Sequence, residues 1–344
     1  MLTPVQEFDQ LLLQAMAYGA SDLFLVADHP PSCRIQGVLR RCEMPPLAAS
    51  RIADYVASLV PASPLPGIEH AGYVEITHEV SEGGMTRISV SRAHGAYTVA
   101  VRILSHMPLP TPDQANLPPE ALKLMQLSQG LVVIAGPHGC GKTTTLYTLI
   151  EWINQNRAVH ICTVEKPSHY HLKPAQAIIQ QREVGKDVAS DAAGIAAALH
   201  QDFDVLMLGE IKDPETFDAA LRAASTEHLV IAQGNGVNCG DAVQRILDVG
   251  GNAEEIREHF ASVLRGVIFQ RLVRRADGAG RIPVCEVLVP DRGWIGRRKA
   301  DGFKLRTRRI PAGCVHMKDE LAKLELKQLV DAQDAERVHA EIGA

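Results

Sequence analysis

The stretch GPHGCGKT at residues 136 to 143 fits the spacing G-x-x-x-x-G-K-[ST]. Its glycines let backbone N–H groups turn inward around phosphate oxygens, and a helix starting at the lysine adds positive potential. Lys142 is then placed to reach β and γ phosphates, and the Thr143 hydroxyl to bind Mg²⁺. The candidate ATP-binding residues are Gly136, Pro137, His138, Gly139, Cys140, Gly141, Lys142, Thr143 and Thr144. ATP and Mg²⁺ are the expected cofactors. Phosphoryl transfer also needs carboxylates, one for the metal and one to orient the attacking water. Glu165 ends the apolar run VHICTVE and Glu210 ends DVLMLGE. Open α/β sheets place ligands at the carboxyl ends of such strands. Cys140 reads either as a thiol switch at a helix N-terminus or, more simply, as a small residue in a tolerant position.

These side chains need a particular scaffold. LVVIA (131–135), VHICTVE (159–165), DVLMLGE (204–210) and HLVIAQ (228–233) are near-continuous apolar runs separated by helix-like segments. Strands buried on both faces and alternating with helices predict a parallel sheet. Before them, residues 5–18 have helical apolar spacing. Residues 22–27, 33–39, 73–77, 86–91 and 97–104 read as short strands, with a helix at 49–60 between them. That predicts a small α+β unit with an antiparallel sheet. The proline-rich MPLPTPDQANLPP (107–119) reads as a linker. Residues 254–344 read mostly as helices with one strand at 282–289. The expected division is 1–106, a linker at 107–119, an ATPase core at 120–275, and a mostly helical 276–344.

Bulk properties agree with two or three domains in 344 residues. The 35 basic and 40 acidic residues give a net charge of -5, so nothing points to nucleic acid as a partner. No apolar stretch approaches the roughly 20 residues needed to cross a bilayer. The N-terminus lacks the basic start and small-residue site of a signal peptide. The seven cysteines show no CxxC pair, and reduced thiols in a cytoplasmic protein are the simplest expectation. His169 and His171 in SHYHL suggest either half of a metal site or a surface loop; no third ligand has suitable spacing.

The ordered motifs resemble the secretion-ATPase superfamily and, within it, the type IV pilus retraction ATPases. The resemblance spans roughly residues 5–290. GASDLFLVADHPPSCRIQGVLRR looks like the family's opening, TVEKP (163–167) like its acidic box, and QREVGKD (181–187) like a segment of the retraction branch. LGEIKD (208–213) looks like its modified Walker B motif, and EHLV (227–230) like the start of its His box. The resemblance implies a PAS-like N-terminal domain joined to a RecA-like P-loop ATPase with a helical C-terminal part. It implies a homo-hexamer, peripheral at the inner-membrane base of a pilus and acting on a platform protein, with a paralogous pilus ATPase as a further candidate partner. By motif match, Glu165 polarises water, Glu210 acts with Mg²⁺, and His228 and position 235 sense the nucleotide state. Arg87 and Arg102 match N-terminal-domain arginines that reach phosphates.

Several positions depart from the family pattern. Lys166 replaces the acidic-box aspartate, His200 and Lys212 replace arginines, and Glu227 replaces a glycine. The strand that ends Gly-Thr-Leu-His-Thr in the family here ends Ala232-Gln233-Gly234-Asn235-Gly236, so the second histidine is Asn235. Between two glycines, Asn235 is expected to take left-handed backbone angles easily. DRGWIGRRKADGFKLRTRR (291–309) carries eight basic residues against two acidic, and reads as a docking face or a solvated surface. Two alternatives therefore accompany a retraction motor. One is a weakly active or inactive ring subunit assisting a competent paralogue; the other is an assembly or secretion ATPase of the same superfamily.

Overall fold

Helix α1 (Pro4–Ala17) starts where the sequence supplies a full cap. The Thr3 hydroxyl accepts from the Gln6 N–H, the Gln6 side chain accepts from the Thr3 N–H, and Pro4 occupies the first turn. Phe8, Leu11, Leu12 and Ala15 form its buried face. The chain turns at Gly19, at φ +69°. The computed structural model describes residues 2–35, 38–60, 72–80, 84–104, 109–251, 253–278, 280–290 and 314–343.

Two compact units result: residues 1–108 with 167–171, and residues 109–166 with 172–344. The first contains α1, β1 (Ala20–Leu25), β2 (Ser32–Ile35), β3 (Val38–Arg41), α2 (Ala49–Leu59), β4 (Tyr73–Glu79), β5 (Met85–Ala93) and β6 (Ala96–Ile103). The strands form one antiparallel sheet in the order β3-β2-β1-β6-β5-β4. Burial alternates as the pleat requires: Ile88, Val90, Val99 and Val101 point inward to meet Phe8, Leu12, Ile52 and Val56. The run 33–39, expected as one strand, is a hairpin, with Ile35 opposite Val38 and Ser32 opposite Arg41.

The second unit begins at Leu109, within the segment 107–119 expected as a linker. Ala115 and Leu117 are buried, and the Asn116 amide donates to the Pro283 carbonyl at 2.9 Å. Pro119 then starts a helix, α3 (Pro119–Leu124), at the one place where its missing N–H costs nothing. There follow β7 (Gly130–Ala135), α4 (Lys142–Asn156), β8 (His160–Glu165), β9 (Ile178–Glu183), α5 (Asp191–Leu199), β10 (Val205–Glu210), α6 (Pro214–Ser225), β11 (Leu229–Gly234), α7 (Cys239–Gly250), α8 (Glu254–Val263), β12 (Leu264–Arg274), β13 (Arg281–Leu288), α9 (Met317–Leu326) and α10 (Ala332–Gly343). The sheet order is β13-β12-β7-β11-β10-β8-β9, parallel except for β13. Leu131, Val133, Ala135, Val230 and Ala232 share one core with residues of α5 to α10. By alternation, Val132 and Ile134 face the opposite layer.

The helical expectation for 254–344 is corrected at 264–274. LRGVIFQRLVR is a strand of 11 residues beside β7, with the strand-favouring Val267, Ile268, Phe269 and Val273, and buried over most of its length. Its run is too continuous to show a strand's alternation, so its sequence does not distinguish it from a buried helix. Strand β9, at the opposite edge, is also absent from the expectations. The basic segment 291–309 lies outside the described residues.

A second correction concerns the Gly-Asn-Gly exit of β11. Neither glycine nor Asn235 adopts left-handed angles. The glycines serve close approach instead. A Cβ on Gly236 would lie 2.8 Å from the Ala242 nitrogen, and one on Gly234 would lie 3.1 Å from both Ile246 and Val133. The left-handed residue in this region is Glu227, at φ +63°, just before β11. Glu227→Gly is therefore expected to stabilise the protein by about 1 kcal/mol, raising Tm by a few degrees. Gly236→Ala is expected to destabilise it. Thermal unfolding of the two variants checks both signs.

Candidate nucleotide site

Strand β7 delivers the chain to the sheet's carboxyl edge at Ala135, and the loop 136–141 turns it into α4. Gly136, Gly139 and Gly141 have φ of +153°, +73° and +86°. Two of these glycines also lack room for any side chain. A Cβ on Gly136 would meet the Gln270 carbonyl at 2.5 Å and the Cys140 sulfur at 2.6 Å; one on Gly141 would meet the Gln270 amide nitrogen at 2.9 Å. Gln270, on β12, is 1% exposed. Its amide donates to the Cys140 carbonyl at 2.6 Å and accepts from the Thr145 hydroxyl at 2.6 Å. One buried side chain thus fixes the loop and the first turn of α4. Cys140 is buried too, and burial pushes its thiol above the ordinary range, with Lys142 opposing the shift. That environment suits a packing group, not a reactive thiolate.

The loop residues Pro137, His138 and Gly139 are exposed, and Lys142, Thr143 and Thr144 begin α4 half-buried. The Lys142 ammonium spans the loop mouth, donating to the Gly136 and Pro137 carbonyls at 2.8 and 3.1 Å and to Asn235 Oδ1 at 3.1 Å. The Asn235 Nδ2 donates to Glu210 Oε1. One amide therefore links the loop lysine to the carboxylate at the end of β10. Thr143 Oγ1 lies 3.5 Å from Gln233 Oε1, near the end of β11. The hydroxyl of Thr143 and the carboxylate of Glu210 are hard oxygen donors of the kind Mg²⁺ prefers. Glycines with no room for a Cβ, a lysine across the loop mouth and that donor set fit a Mg²⁺-bound nucleoside triphosphate.

Glu165 ends β8 and is 3% exposed. It accepts from the Tyr147 hydroxyl at 2.5 Å and from the Thr163 hydroxyl at 3.4 Å. Lys166, the next residue, is exposed; a Cβ on Gly185 would lie 3.9 Å from its Nζ. Lys212 pairs with Asp191 at 3.7 Å.

Not every candidate converges on the loop. His228 precedes β11, so it lies at the amino edge of the parallel sheet while Asn235 lies just past the carboxyl edge. Its carbonyl accepts from Gly130 N at the start of β7, and its ring packs edge-on against Phe203 at 4.2 Å. A strand rising about 3.3 Å per residue separates it from the phosphate end. Burial pushes its imidazole below the ordinary range. Within one chain its ring packs against Phe203 and is not brought to the loop. In the N-terminal unit, Arg87 and Arg102 stand directly opposite each other on β5 and β6. Arg102 Nε donates to Asp22 Oδ1 at 3.2 Å while its side chain stays 61% exposed.

Three residues at the site were missed in the sequence. Gln270, Gln233 and Tyr147 each carry a polar group into an apolar segment. A glutamine inside VIFQRLV was the available signal, because buried amides are retained where they bond something.

Residues 81–337 match the family described as "Type II/IV secretion system protein". The chain is 30% identical over 261 residues to the twitching motility protein of Neisseria gonorrhoeae, covering 75% of this chain and 70% of that one. It is 31% identical over 288 residues to the type IV pilus ATPase PilU of Pseudomonas aeruginosa, covering 82% and 74%. The crystal structure of the pilus retraction motor PilT with bound ADP superposes with a TM-score of 0.83 at 32% identity, covering 95% of both chains. An α+β N-terminal unit, a RecA-like sheet bearing a phosphate loop, and these likenesses place the chain in the type II/IV secretion system ATPase family, among the type IV pilus motor ATPases.

Proposed function

We propose that the chain is an ATP-hydrolysing subunit of a homo-hexameric motor for type IV pilus retraction. It works peripherally on the cytoplasmic side of the inner membrane, against a pilus platform protein. Among the described residues no helix is long and apolar enough to cross a membrane. The observation that carries the reading is the chain of contacts from Lys142 through Asn235 to Glu210 at one sheet edge. It joins the residue that neutralises phosphate charge to the one assigned to the metal.

In this reading the loop N–H groups and Lys142 bind the triphosphate, and Thr143 and Glu210 hold Mg²⁺. The metal, when bound, would neutralise charge on the phosphate oxygens. Glu165 orients and polarises the attacking water. Arg87 and Arg102 supply further phosphate contacts from an adjacent subunit, with Asp22 orienting Arg102. Arg271 and Leu272 of β12, Arg281 of β13 and Arg337 of α10 wall a concavity beside Pro137–Cys140. That concavity continues the loop and suits the nucleoside.

A second reading is a ring subunit of low turnover that assists a competent paralogue, sharing its ring or platform. The lysine at 166 and the asparagine at 235 favour it. A neutral imidazole at 235 could offer one donor and one acceptor, matching the two bonds the amide makes, but an imidazolium has only donors and could not accept from Lys142. The Asn235 amide itself does not titrate and carries no charge.

ATP turnover by the purified full-length chain is expected to exceed that of Lys142→Ala and Glu210→Gln by about a hundredfold or more. Equal rates would remove the motor reading. Asn235→His combined with Lys166→Asp is expected to leave turnover within about threefold. A rise beyond about tenfold would favour the low-turnover subunit. Deletion of the gene is expected to leave cells hyperpiliated and unable to twitch; bald cells would assign the chain to assembly.

A further inference from the structure

We infer that Tyr147 is a positioning residue for hydrolysis: its phenol holds the Glu165 carboxylate ionised and in place, and ties it to the helix that carries Lys142 and Thr143. The inference rests on Glu165 acting as the water-polarising carboxylate. The contact is short, 2.5 Å from the Tyr147 hydroxyl to Glu165 Oε1, as expected for O–H···O⁻. The Thr163 hydroxyl approaches the same oxygen at 3.4 Å. Tyr147 and Thr163 are fully buried.

A carboxylate in this position is under pressure to take up a proton. It is almost fully removed from water, which disfavours the charged form. Glu183 stands in register beside it on β9, and is itself paired with Lys186 at 3.1 Å. On β10, Gly209 lies against Glu165, where a Cβ would stand 3.9 Å from the Glu165 Cα, so that strand brings no side-chain charge to the same point. Lys166 comes next in the chain but is exposed to solvent. Burial and the Glu183 carboxylate beside it both favour protonation, and a protonated Glu165 cannot accept a proton from water. A hydroxyl donor to the ionised form opposes them.

The position of Tyr147 adds a mechanical link. It follows Thr143 by four residues on α4, so both lie on one face, a single turn apart. Gln270 fixes the beginning of the same helix through Cys140 and Thr145. A shift of α4 on filling the phosphate loop would be carried to Glu165 through one hydrogen bond. A buried phenol merely in need of an acceptor would also seek a carboxylate. The two roles separate in the pH dependence of turnover, which simple satisfaction of a hydroxyl would not move.

The test compares ATP turnover against pH for the full-length wild type, Tyr147→Phe and Glu165→Gln, with binding of a fluorescent ATP analogue measured on each. Removing the hydroxyl donor raises the pH at which the carboxylate ionises. Tyr147→Phe is therefore expected to move the acid limb of kcat upward by about one pH unit. It should lower kcat about tenfold near neutrality while leaving KM and analogue binding within about twofold. An acid limb at the wild-type position, or a kcat equal to wild type, overturns the inference. Glu165→Gln with near wild-type turnover overturns the assignment of Glu165 itself. An inactive Glu165→Gln beside an unshifted Tyr147→Phe overturns only the role of Tyr147. Should Tyr147→Phe fail to fold, Thr163→Val replaces it: an upward shift supports the inference and an unmoved limb overturns it.

Discussion

The side-chain amide of Gln270 closes the loop that everything else at this site depends on. A phosphate loop concentrates inward-facing N–H groups, and its outward carbonyls must be satisfied elsewhere. Gln270 accepts from Thr145 and donates to the Cys140 carbonyl, from a strand that lies directly beside β7. The same amide leaves no room for a side chain at Gly141, and its backbone carbonyl leaves none at Gly136. The glycines are thus required twice, by dihedral angle and by contact. Because β12 is built from residues about 130 positions beyond the loop, the phosphate site forms only when the seven-stranded sheet is complete.

From that fixed point, the parallel sheet distributes the remaining groups. Strands β7, β11, β10 and β8 run the same way, so Gln233, Asn235, Glu210 and Glu165 emerge at the phosphate edge with the loop. The sheet also separates some candidates from the loop of their own chain. His228 leads into the strand that ends at Gln233 and Gly234, and a straight strand cannot bring both ends to one ligand. The Asn235 link between Lys142 and Glu210 is the chain's own solution at the place where the family's second histidine is expected. It preserves a donor and an acceptor and gives up the ability to change charge.

The family relationship sets this beside motors in which an imidazole is expected at that position. The contacts that hold the loop, the lysine and the two glutamates are internal to the second unit. The departures fall on residues around them: Lys166 next to Glu165, Asn235 beside Glu210, and Glu227 in a left-handed turn remote from the phosphates. The contacts within the loop and to Lys142 are made as the sequence motif leads one to expect, and the departures lie beside them.

The sequence alone determined the phosphate loop, both strand-end glutamates, the central parallel strands and the antiparallel N-terminal sheet. Each is a local pattern: a fixed spacing of glycines and lysine, a run buried on both faces, an alternation buried on one. It did not determine β12, whose run lacks alternation. It misjudged Gly234-Asn235-Gly236, because a glycine needed for close packing looks the same in sequence as one needed for a left-handed angle. The family resemblance gave His228 a sensing role, while the strand direction sets it at the end of β11 away from the loop of its own chain. Gln270, Tyr147 and the Lys142–Asn235–Glu210 link became visible only in the folded chain. Each joins residues distant in sequence, and a hydrogen bond between separate elements leaves no mark on the spacing of either partner.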